Sequence, residues 1–153
     1  MTKFYISWDE FHTDVKTLCA KLKTRKTFKR IIAVARGGLI PAGIVAYELD
    51  IRHCEAVNMC SYDHDSRRDD NEVKLDIGLT DVDADTLFID DLSDSGRTVQ
   101  ILRQLYPQAC FATIYAKPSG QSAPDVYARA LPDEWVVFPW DVEIGRASCR
   151  ERV

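Results

Sequence analysis

The stretch from Leu87 to Thr98, near the middle of the chain, constrains the fold more than any other part of the sequence. It opens with the apolar run Leu-Phe-Ile, which is typical of a strand covered on both faces. Two aspartates come next, then Asp-Ser-Gly-Arg-Thr, and then an apolar face with helical spacing that stops at Pro107. The stretch therefore predicts a buried strand, an acidic turn and the beginning of a helix.

The turn at residues 95–98 has the chemistry of a phosphate site. A Ser-Gly-x-Thr turn at the beginning of a helix offers free backbone N–H groups, two hydroxyls and the positive end of the helix dipole. The adjacent carboxylates of Asp90 and Asp91 suit ribose hydroxyls and Mg²⁺. A loop that binds a phosphate, a sugar and a metal fits a phosphoribosyl group.

Length and composition fit a single domain and exclude two classes of protein. The 153 residues are 46% hydrophobic and 29% charged, which is ordinary for a domain with a sizeable core. The net charge of -4, without a basic run, counts against a general nucleic-acid binder. No apolar stretch approaches the roughly 20 residues of a membrane span, and the N-terminus has no signal-peptide core. We therefore expect a cytoplasmic protein.

The five cysteines form neither a zinc pattern nor a disulfide pattern. None belongs to a Cys-x-x-Cys pair, and none lies in a Cys/His cluster with zinc spacing. Cys54 and Cys110 lie among apolar strand residues, so we expect both thiols to be buried. The set indicates reduced thiols in a cytoplasmic setting.

Apolar, strand-like runs alternate along the chain with segments of helical spacing. This alternation predicts an α/β fold with a mainly parallel central sheet flanked by helices. Ligands of such sheets bind outside the carboxyl ends of the strands, and Arg36, Asp90, Asp91 and Lys117 fall at those ends. The expected strands cover residues 31–35, 51–60, 87–89, 110–116 and 135–138, and the expected helices begin after Ser7, near Pro41 and at Thr98.

A long polar segment, residues 61–83, separates two of the expected strands. Connections in compact domains are usually shorter, and longer ones are often lids or binding loops. We interpret this segment as a binding loop, with an extra strand around residues 73–79.

The stretch from Leu87 to Thr98 meets every position of the PRPP-binding motif of type I phosphoribosyltransferases, where PRPP is 5-phosphoribosyl 1-pyrophosphate. That motif is an apolar strand, two acids, an apolar residue, any residue, Asp or Thr, Ser or Thr, Gly, any residue and Thr. Four further segments resemble the bacterial xanthine-guanine phosphoribosyltransferases in the same order and at similar spacing. They are Ile31–Pro41, Ser61–Asp65, Tyr115–Pro118 and Pro139–Asp141.

The resemblance covers residues 4–142 and implies a fold, a reaction and an assembly. The fold is that of a type I phosphoribosyltransferase, with a small hood and a flexible loop. The reaction is purine salvage: the phosphoribosyl group of PRPP moves to N9 of a 6-oxopurine (guanine, xanthine or hypoxanthine) with Mg²⁺, giving the nucleoside monophosphate and pyrophosphate. The family also suggests a homo-tetramer without a nucleic-acid partner, and it allows peripheral association with the inner membrane.

The resemblance also assigns the residues that bind PRPP. The glycine turn at Arg36, which follows a non-proline cis peptide bond in the family, holds pyrophosphate, and a guanidinium beside a close backbone suits such an anion. The two acids hold the ribose, with Asp91 as the metal residue. The family often carries glycine where Arg97 stands, so its side chain receives no role. The full set is Arg36, Gly37, Gly38, Asp90, Asp91, Asp94, Ser95, Gly96, Arg97 and Thr98.

Four residues are expected to act on the purine. Asp94 is the expected catalytic residue, a base for the proton at purine N7. Its alternative role is a helix N-cap, and the two roles can coexist. Lys117 donates to the 6-oxo group, unless it is an exposed lysine at a strand end. The Trp135 ring and the Val136 backbone hold the base, unless Trp135 is a core aromatic residue.

Ser61 and Tyr62 open the flexible loop, which in the family closes over PRPP and excludes water. Two other functions stay open. One is a regulator on the same fold that senses PRPP or purines, and the other is a transferase for adenine or orotate. Lys117 and the Ser61-Tyr62 loop disfavour the second.

The last residues, 143–153, break the apolar pattern and can be back-translated into a common sequencing-adapter read-through. We therefore expect a phosphoribosyltransferase domain at residues 1–142, followed by a non-native tail at residues 143–153.

Overall fold

The computed structural model describes residues 2–62, 72–75 and 78–142. The strands are β1 (Lys3–Tyr5), β2 (Arg30–Ala35), β3 (His53–Tyr62), β4 (Glu72–Leu75), β5 (Thr86–Ser93), β6 (Cys110–Ala116), β7 (Val126–Ala130) and β8 (Trp135–Val137). The helices are α1 (Trp8–Lys23), α2 (Leu39–Glu48) and α3 (Arg97–Leu105), with a short 3₁₀ turn at Pro118–Gly120.

The described strands form a large sheet and a small one. The large sheet has six strands in the order β4-β3-β2-β5-β6-β7, and the small sheet pairs β1 with β8. Every pairing is parallel except that of β3 with β4. The expected α/β fold with a mainly parallel central sheet is therefore confirmed.

Both faces of the central strands are buried, because helices cover the sheet on each side. Alternate residues of β2 point to opposite faces: Ile31 packs in the core beneath α1 and α2, while Ile32 packs in the core beneath α3. On the α3 side the Phe88 ring stacks on the Phe111 ring, with 5.1 Å between their centroids. Burial on both faces explains why these strands read as continuous apolar runs.

Helix α1 begins where the sequence predicts it. The hydroxyl of Ser7 accepts a hydrogen bond from the backbone N–H of Glu10 at 3.1 Å, which caps the helix. The residues buried on its inner face are Phe11, Val15, Leu18, Cys19 and Leu22.

Strand β5 is longer than expected. The expected strand stopped at Ile89, but the ladder between β5 and β6 continues through Asp90 paired with Thr113 and ends with Ser93 paired with Ala116. The two acids are therefore strand residues and not turn residues. Pairing with a buried neighbouring strand outweighs the low strand preference of aspartate.

Three strands differ from the expected set. β1 and β7 were not anticipated: β1 has only three residues, and β7 is a half-buried edge strand. β4 is the extra strand of the long polar segment, but it covers residues 72–75 rather than 73–79. The other residues of that segment before Gly78, 63–71 and 76–77, lie outside the described part of the chain.

One of the two expected buried thiols is exposed. Cys110 is buried as expected, whereas Cys54 is exposed, so that expectation was wrong. Cys54 is the second residue of β3, directly after the exposed Arg52 and His53. In the described ranges, the structure contains no helix with the length and apolar character needed to cross a membrane.

Candidate active site

The site lies where three neighbouring strands of the sheet end. β2 ends at Ala35, β5 at Ser93 and β6 at Ala116, and β5 pairs with both of the others. Parallel neighbours end at the same edge of a sheet, so the residues that follow them meet there. These residues are Arg36, Asp94 and Lys117. The sequence predicted Arg36 and Lys117 at these positions, but it placed Asp90 and Asp91, rather than Asp94, directly after the middle strand.

The turn after β2 lies directly against the acidic end of β5. A cis peptide bond joins Ala35 and Arg36, as the resemblance implied. A Cβ atom on Gly37 would lie 2.6 Å from the carboxylate atoms of Asp91, and one on Gly38 would lie 2.2 Å from the carbonyl oxygen of Ile89. Both positions therefore need glycine, and the turn brings its backbone next to a carboxylate.

Asp90 and Asp91 occupy consecutive strand positions, so their side chains leave opposite faces of the sheet. Asp91 is only 4% exposed, and its backbone N–H donates to Oδ1 of Asp90 at 2.8 Å. No group of three His, Cys, Asp or Glu residues that could hold a metal ion occurs in the described ranges. The two carboxylates of Asp90 and Asp91 still fit Mg²⁺, because proteins commonly hold this ion by one or two carboxylates, with substrate phosphates and water as the other ligands.

The phosphate turn begins helix α3 with a left-handed glycine. Gly96 has φ of 85° and occupies the N-cap position, a conformation that glycine adopts without steric cost. The Ser95 hydroxyl accepts from the backbone N–H of Arg97 at 3.4 Å, while Ser95 and Arg97 are exposed and Thr98 is buried. Because Gly96 is the cap, the alternative of Asp94 as helix N-cap is wrong.

Lys117 and Asp94 form an ion pair across the ends of β5 and β6. Lys117 Nζ lies 3.5 Å from Oδ2 of Asp94, with side chains 8% and 53% exposed. The alternative of an exposed strand-end lysine is therefore wrong. The buried ammonium and the half-exposed carboxylate thus place a hydrogen-bond donor and an acceptor side by side.

Trp135 and Val136 belong to the small sheet. Lys3 and Phe4 pair with them in register, the backbone N–H of Trp135 donates to the Thr2 carbonyl oxygen at 3.0 Å, and Val136 is buried in the core. Trp135 is half-buried, so it is not a fully buried core aromatic residue. Its contact with a purine stays a prediction.

Ser61 and Tyr62 are the last residues of β3, where they pair with Val73 and Glu72 of β4. The structure thus places the beginning of the expected loop at the end of a strand that neighbours β2. The loop itself, residues 63–71, lies outside the described residues, so its closure stays a prediction.

Sequence reasoning missed two residues at this edge, Ser93 and Gly120. The Ser93 hydroxyl donates to the Gly120 carbonyl oxygen at 2.7 Å. The available signal was a serine directly after Leu92 in a segment that leads into the phosphate turn, where a buried hydroxyl needs a partner.

A cavity of about 550 Å³ lies at the opposite ends of the strands, where β2 and β3 begin. Its lining includes Arg30 and His53, which are the first residues of β2 and β3. We place the active site at the carboxyl edge instead, because the glycine turns, the acids and the lysine converge there.

The sheet is mainly parallel, a phosphate turn follows the acidic strand β5, and a glycine turn follows the neighbouring strand β2. Together these features define the class of type I phosphoribosyltransferases. The model of the phosphoribosyl transferase domain family matches residues 7–145. The chain therefore belongs to the phosphoribosyltransferase family.

Within this family, the chain is similar to enzymes named for their purine substrates. The chain is 43% identical to a xanthine-guanine phosphoribosyltransferase of Idiomarina loihiensis over 93% of this chain and 89% of that protein. It is 42% identical to one of Desulfotalea psychrophila over 90% of this chain and 86% of the relative. A crystal structure of a purine phosphoribosyltransferase from Pyrococcus horikoshii superposes with a TM-score of 0.78 at 27% identity, covering 93% of this chain and 95% of the other.

Proposed function

We propose that this chain is a purine salvage enzyme that transfers the 5-phosphoribosyl group of PRPP to N9 of a 6-oxopurine. The products are the nucleoside monophosphate and pyrophosphate. The observation that carries the proposal is the buried Lys117 ammonium 3.5 Å from the Asp94 carboxylate, beside a phosphate turn. The xanthine-guanine phosphoribosyltransferases at 40–43% identity support the same reaction.

PRPP lies along the carboxyl edge of the sheet. Backbone N–H groups at residues 95–98 and the dipole of α3 hold the 5′-phosphate. The acids at the end of β5 hold the ribose hydroxyls. The Arg36 guanidinium and the tight Gly37-Gly38 turn receive the pyrophosphate, which leaves C1′ as an oxocarbenium-like state forms.

Mg²⁺ supplies charge neutralisation for the pyrophosphate when it is bound. Asp91 is the residue that holds it, because its buried carboxylate lies against the glycine turn that receives the same anion. PRPP phosphates and water would supply the remaining ligands.

The purine is oriented by the Lys117–Asp94 pair. Lys117 donates to the 6-oxo group, and this selects guanine, xanthine or hypoxanthine over adenine, whose 6-amino group opposes an ammonium. Asp94 accepts the proton at N7 as the bond to N9 forms. Trp135 covers the base, the backbone of Val136 lies beside it, and the loop that begins at Ser61 and Tyr62 closes the site.

The alternative of a nucleic-acid-binding regulator has no support in these observations. The chain has a net charge of -4, and its relatives carry the names of enzymes.

Assembly, location and the domain boundary belong to this proposal. We propose a homo-tetramer in the cytoplasm, with peripheral membrane association allowed, and a catalytic domain at residues 1–142. Light scattering after size-exclusion chromatography tests the tetramer. Equal melting temperatures with and without residues 143–153, which lie outside the described part of the chain, would support the boundary.

Product identification tests the reaction. Purified protein, PRPP, Mg²⁺ and guanine should give guanosine monophosphate and pyrophosphate in equal amounts by mass spectrometry. Absence of the nucleotide with the protein folded and PRPP bound would contradict the proposal.

A further inference from the structure

Ser93 ends β5 between the two loops that form the site, and its side chain is buried. It is 3% exposed, and Oγ donates to the Gly120 carbonyl oxygen at 2.7 Å. A buried hydroxyl without a partner costs free energy, so this hydrogen bond fixes both groups. Asp94, the expected catalytic residue, follows directly in the chain.

Ser93, Lys117 and Gly120 form a closed ring of three hydrogen bonds. The Lys117 N–H donates to the Ser93 carbonyl oxygen at 3.0 Å, and the Gly120 N–H donates to the Lys117 carbonyl oxygen at 2.8 Å. The Ser93 hydroxyl closes the ring on the Gly120 carbonyl oxygen. Ser93 therefore holds both ends of the turn that begins with Lys117.

The two loops also approach each other closely at two glycines. A Cβ on Gly120 would lie 2.1 Å from the carbonyl oxygen of Ser93, and a Cβ on Gly96 would lie 2.7 Å from Cβ of Ala123. The segment at residues 93–96, which leads into the phosphate turn, is thus in direct contact with the segment at residues 117–123.

We propose that Ser93 is a positioning residue that sets the place of Lys117 relative to Asp94. The ring joins the turn that orients the purine to the turn that holds the 5′-phosphate, so the two substrates meet in a fixed geometry. This inference rests on the proposed function. Displacement of a reacting group by about 1 Å lowers a rate by up to about 10²-fold, so loss of the ring affects catalysis more than folding.

Ser93→Ala tests the inference by removing the donor from the ring. We expect kcat/KM for guanine to fall by about tenfold or more. The dissociation constant of PRPP should change by less than about twofold, because the backbone N–H groups that hold the phosphate remain. Hydrogen exchange of the 117–123 segment should become faster.

Thr86→Val is the matched control. Thr86 is fully buried at the opposite end of the same strand, and its hydroxyl donates to Oδ1 of Asp83 at 3.2 Å. Its loss should lower the melting temperature and leave the kinetics and the exchange of the 117–123 segment unchanged.

Three outcomes distinguish a failure of the positioning role from a failure of the proposed function. An active wild-type protein with unchanged kinetics in Ser93→Ala overturns the positioning role. Equal kinetic losses in Ser93→Ala and Thr86→Val also overturn it, since they indicate a general effect of stability. An inactive wild-type protein overturns the proposed function instead. In that case, unchanged hydrogen exchange of the 117–123 segment in Ser93→Ala overturns the positioning role as well.

Discussion

Asp94 and Lys117 depend on each other at the scale of single residues. The ammonium of Lys117 is buried, and the carboxylate of Asp94 lies 3.5 Å from it. A buried cation is stable only near an anion or several acceptors. A neutral residue at position 94 therefore removes the partner charge of the lysine and, under the proposed function, also removes the base.

Asp94→Asn should reduce turnover far more than PRPP affinity. The amide keeps the shape of the side chain but cannot take the N7 proton, and general-base assistance is worth about 10²–10⁴-fold in rate. Steady-state kinetics with guanine and calorimetry with PRPP measure the two effects. Asp133→Asn, at an exposed position outside the site, is the control with wild-type kinetics. A near-normal kcat in Asp94→Asn would remove Asp94 from the chemistry.

The residue scale also shows what sequence can and cannot predict here. The positions of Arg36 and Lys117 were predicted because each directly follows an apolar run, and the ends of parallel strands meet. The ring through Ser93 was not predicted, because it depends on how closely the turn at residues 117–120 approaches β5. That distance is set by tertiary packing and leaves only a weak trace in the sequence.

The turn from β2 into α2 is an element whose geometry depends on glycine. The backbone N–H of Gly38 donates to the Val34 carbonyl oxygen at 2.8 Å, and its own carbonyl accepts from Ala42 in the first turn of α2. A Cβ at this position would lie 2.2 Å from the carbonyl of Ile89 in the central strand. The turn can therefore accept no side chain without moving β5.

Gly38→Ala should destabilise the protein, and Gly43→Ala should stabilise it. Overpacking against a strand backbone costs about 1–3 kcal/mol or more. A Cβ on Gly43 meets nothing within 4 Å, and alanine gains about 0.5–1 kcal/mol over glycine inside a helix. Urea unfolding of both variants measures the difference. A Gly38→Ala midpoint at or above that of the wild type would contradict the packing described here.

Helices and strands with a regular pattern of apolar residues were predicted well, whereas the strand β7 at the edge of the sheet was not. β6 and α1 have continuous or regularly spaced apolar residues, because both are packed against the core. β7 lies at the edge of the sheet, where Lys21 covers its backbone by donating to the carbonyl oxygen of Tyr127 at 2.9 Å. A strand stabilised by a lysine from a distant helix carries little local signal.

At the scale of the whole molecule, an ion pair joins β2 and β3 at the edge opposite the active site. Nε and Nη2 of Arg30 donate to the two carboxylate oxygens of Glu55, each at 2.9 Å, and Nη1 donates to the Thr80 carbonyl oxygen at 2.7 Å. His53 Nε2 lies 2.6 Å from Oε1 of Glu55. The hydrogen bonds from Arg30 hold the pKa of Glu55 below its ordinary value, against the opposing effect of burial.

Stability from this pair should be lost in acid. The folded-state pKa of Glu55 is lowered, so its contribution is complete above the unfolded pKa of about 4.3 and disappears as pH falls through the folded value. The free energy of unfolding, measured against pH for the wild type and Glu55→Gln, should show a gap that closes below about pH 4. A gap that is constant into strong acid would indicate that the charge on Glu55 contributes nothing.

The central claim is that the molecule transfers a phosphoribosyl group to 6-oxopurines, and its most direct test is a comparison of four bases. The measurement is kcat/KM with saturating PRPP and Mg²⁺ for guanine, xanthine, hypoxanthine and adenine. We predict conversion of the 6-oxopurines and none of adenine. Conversion of adenine at a similar rate, or of no base by a protein that binds PRPP, would contradict the claim.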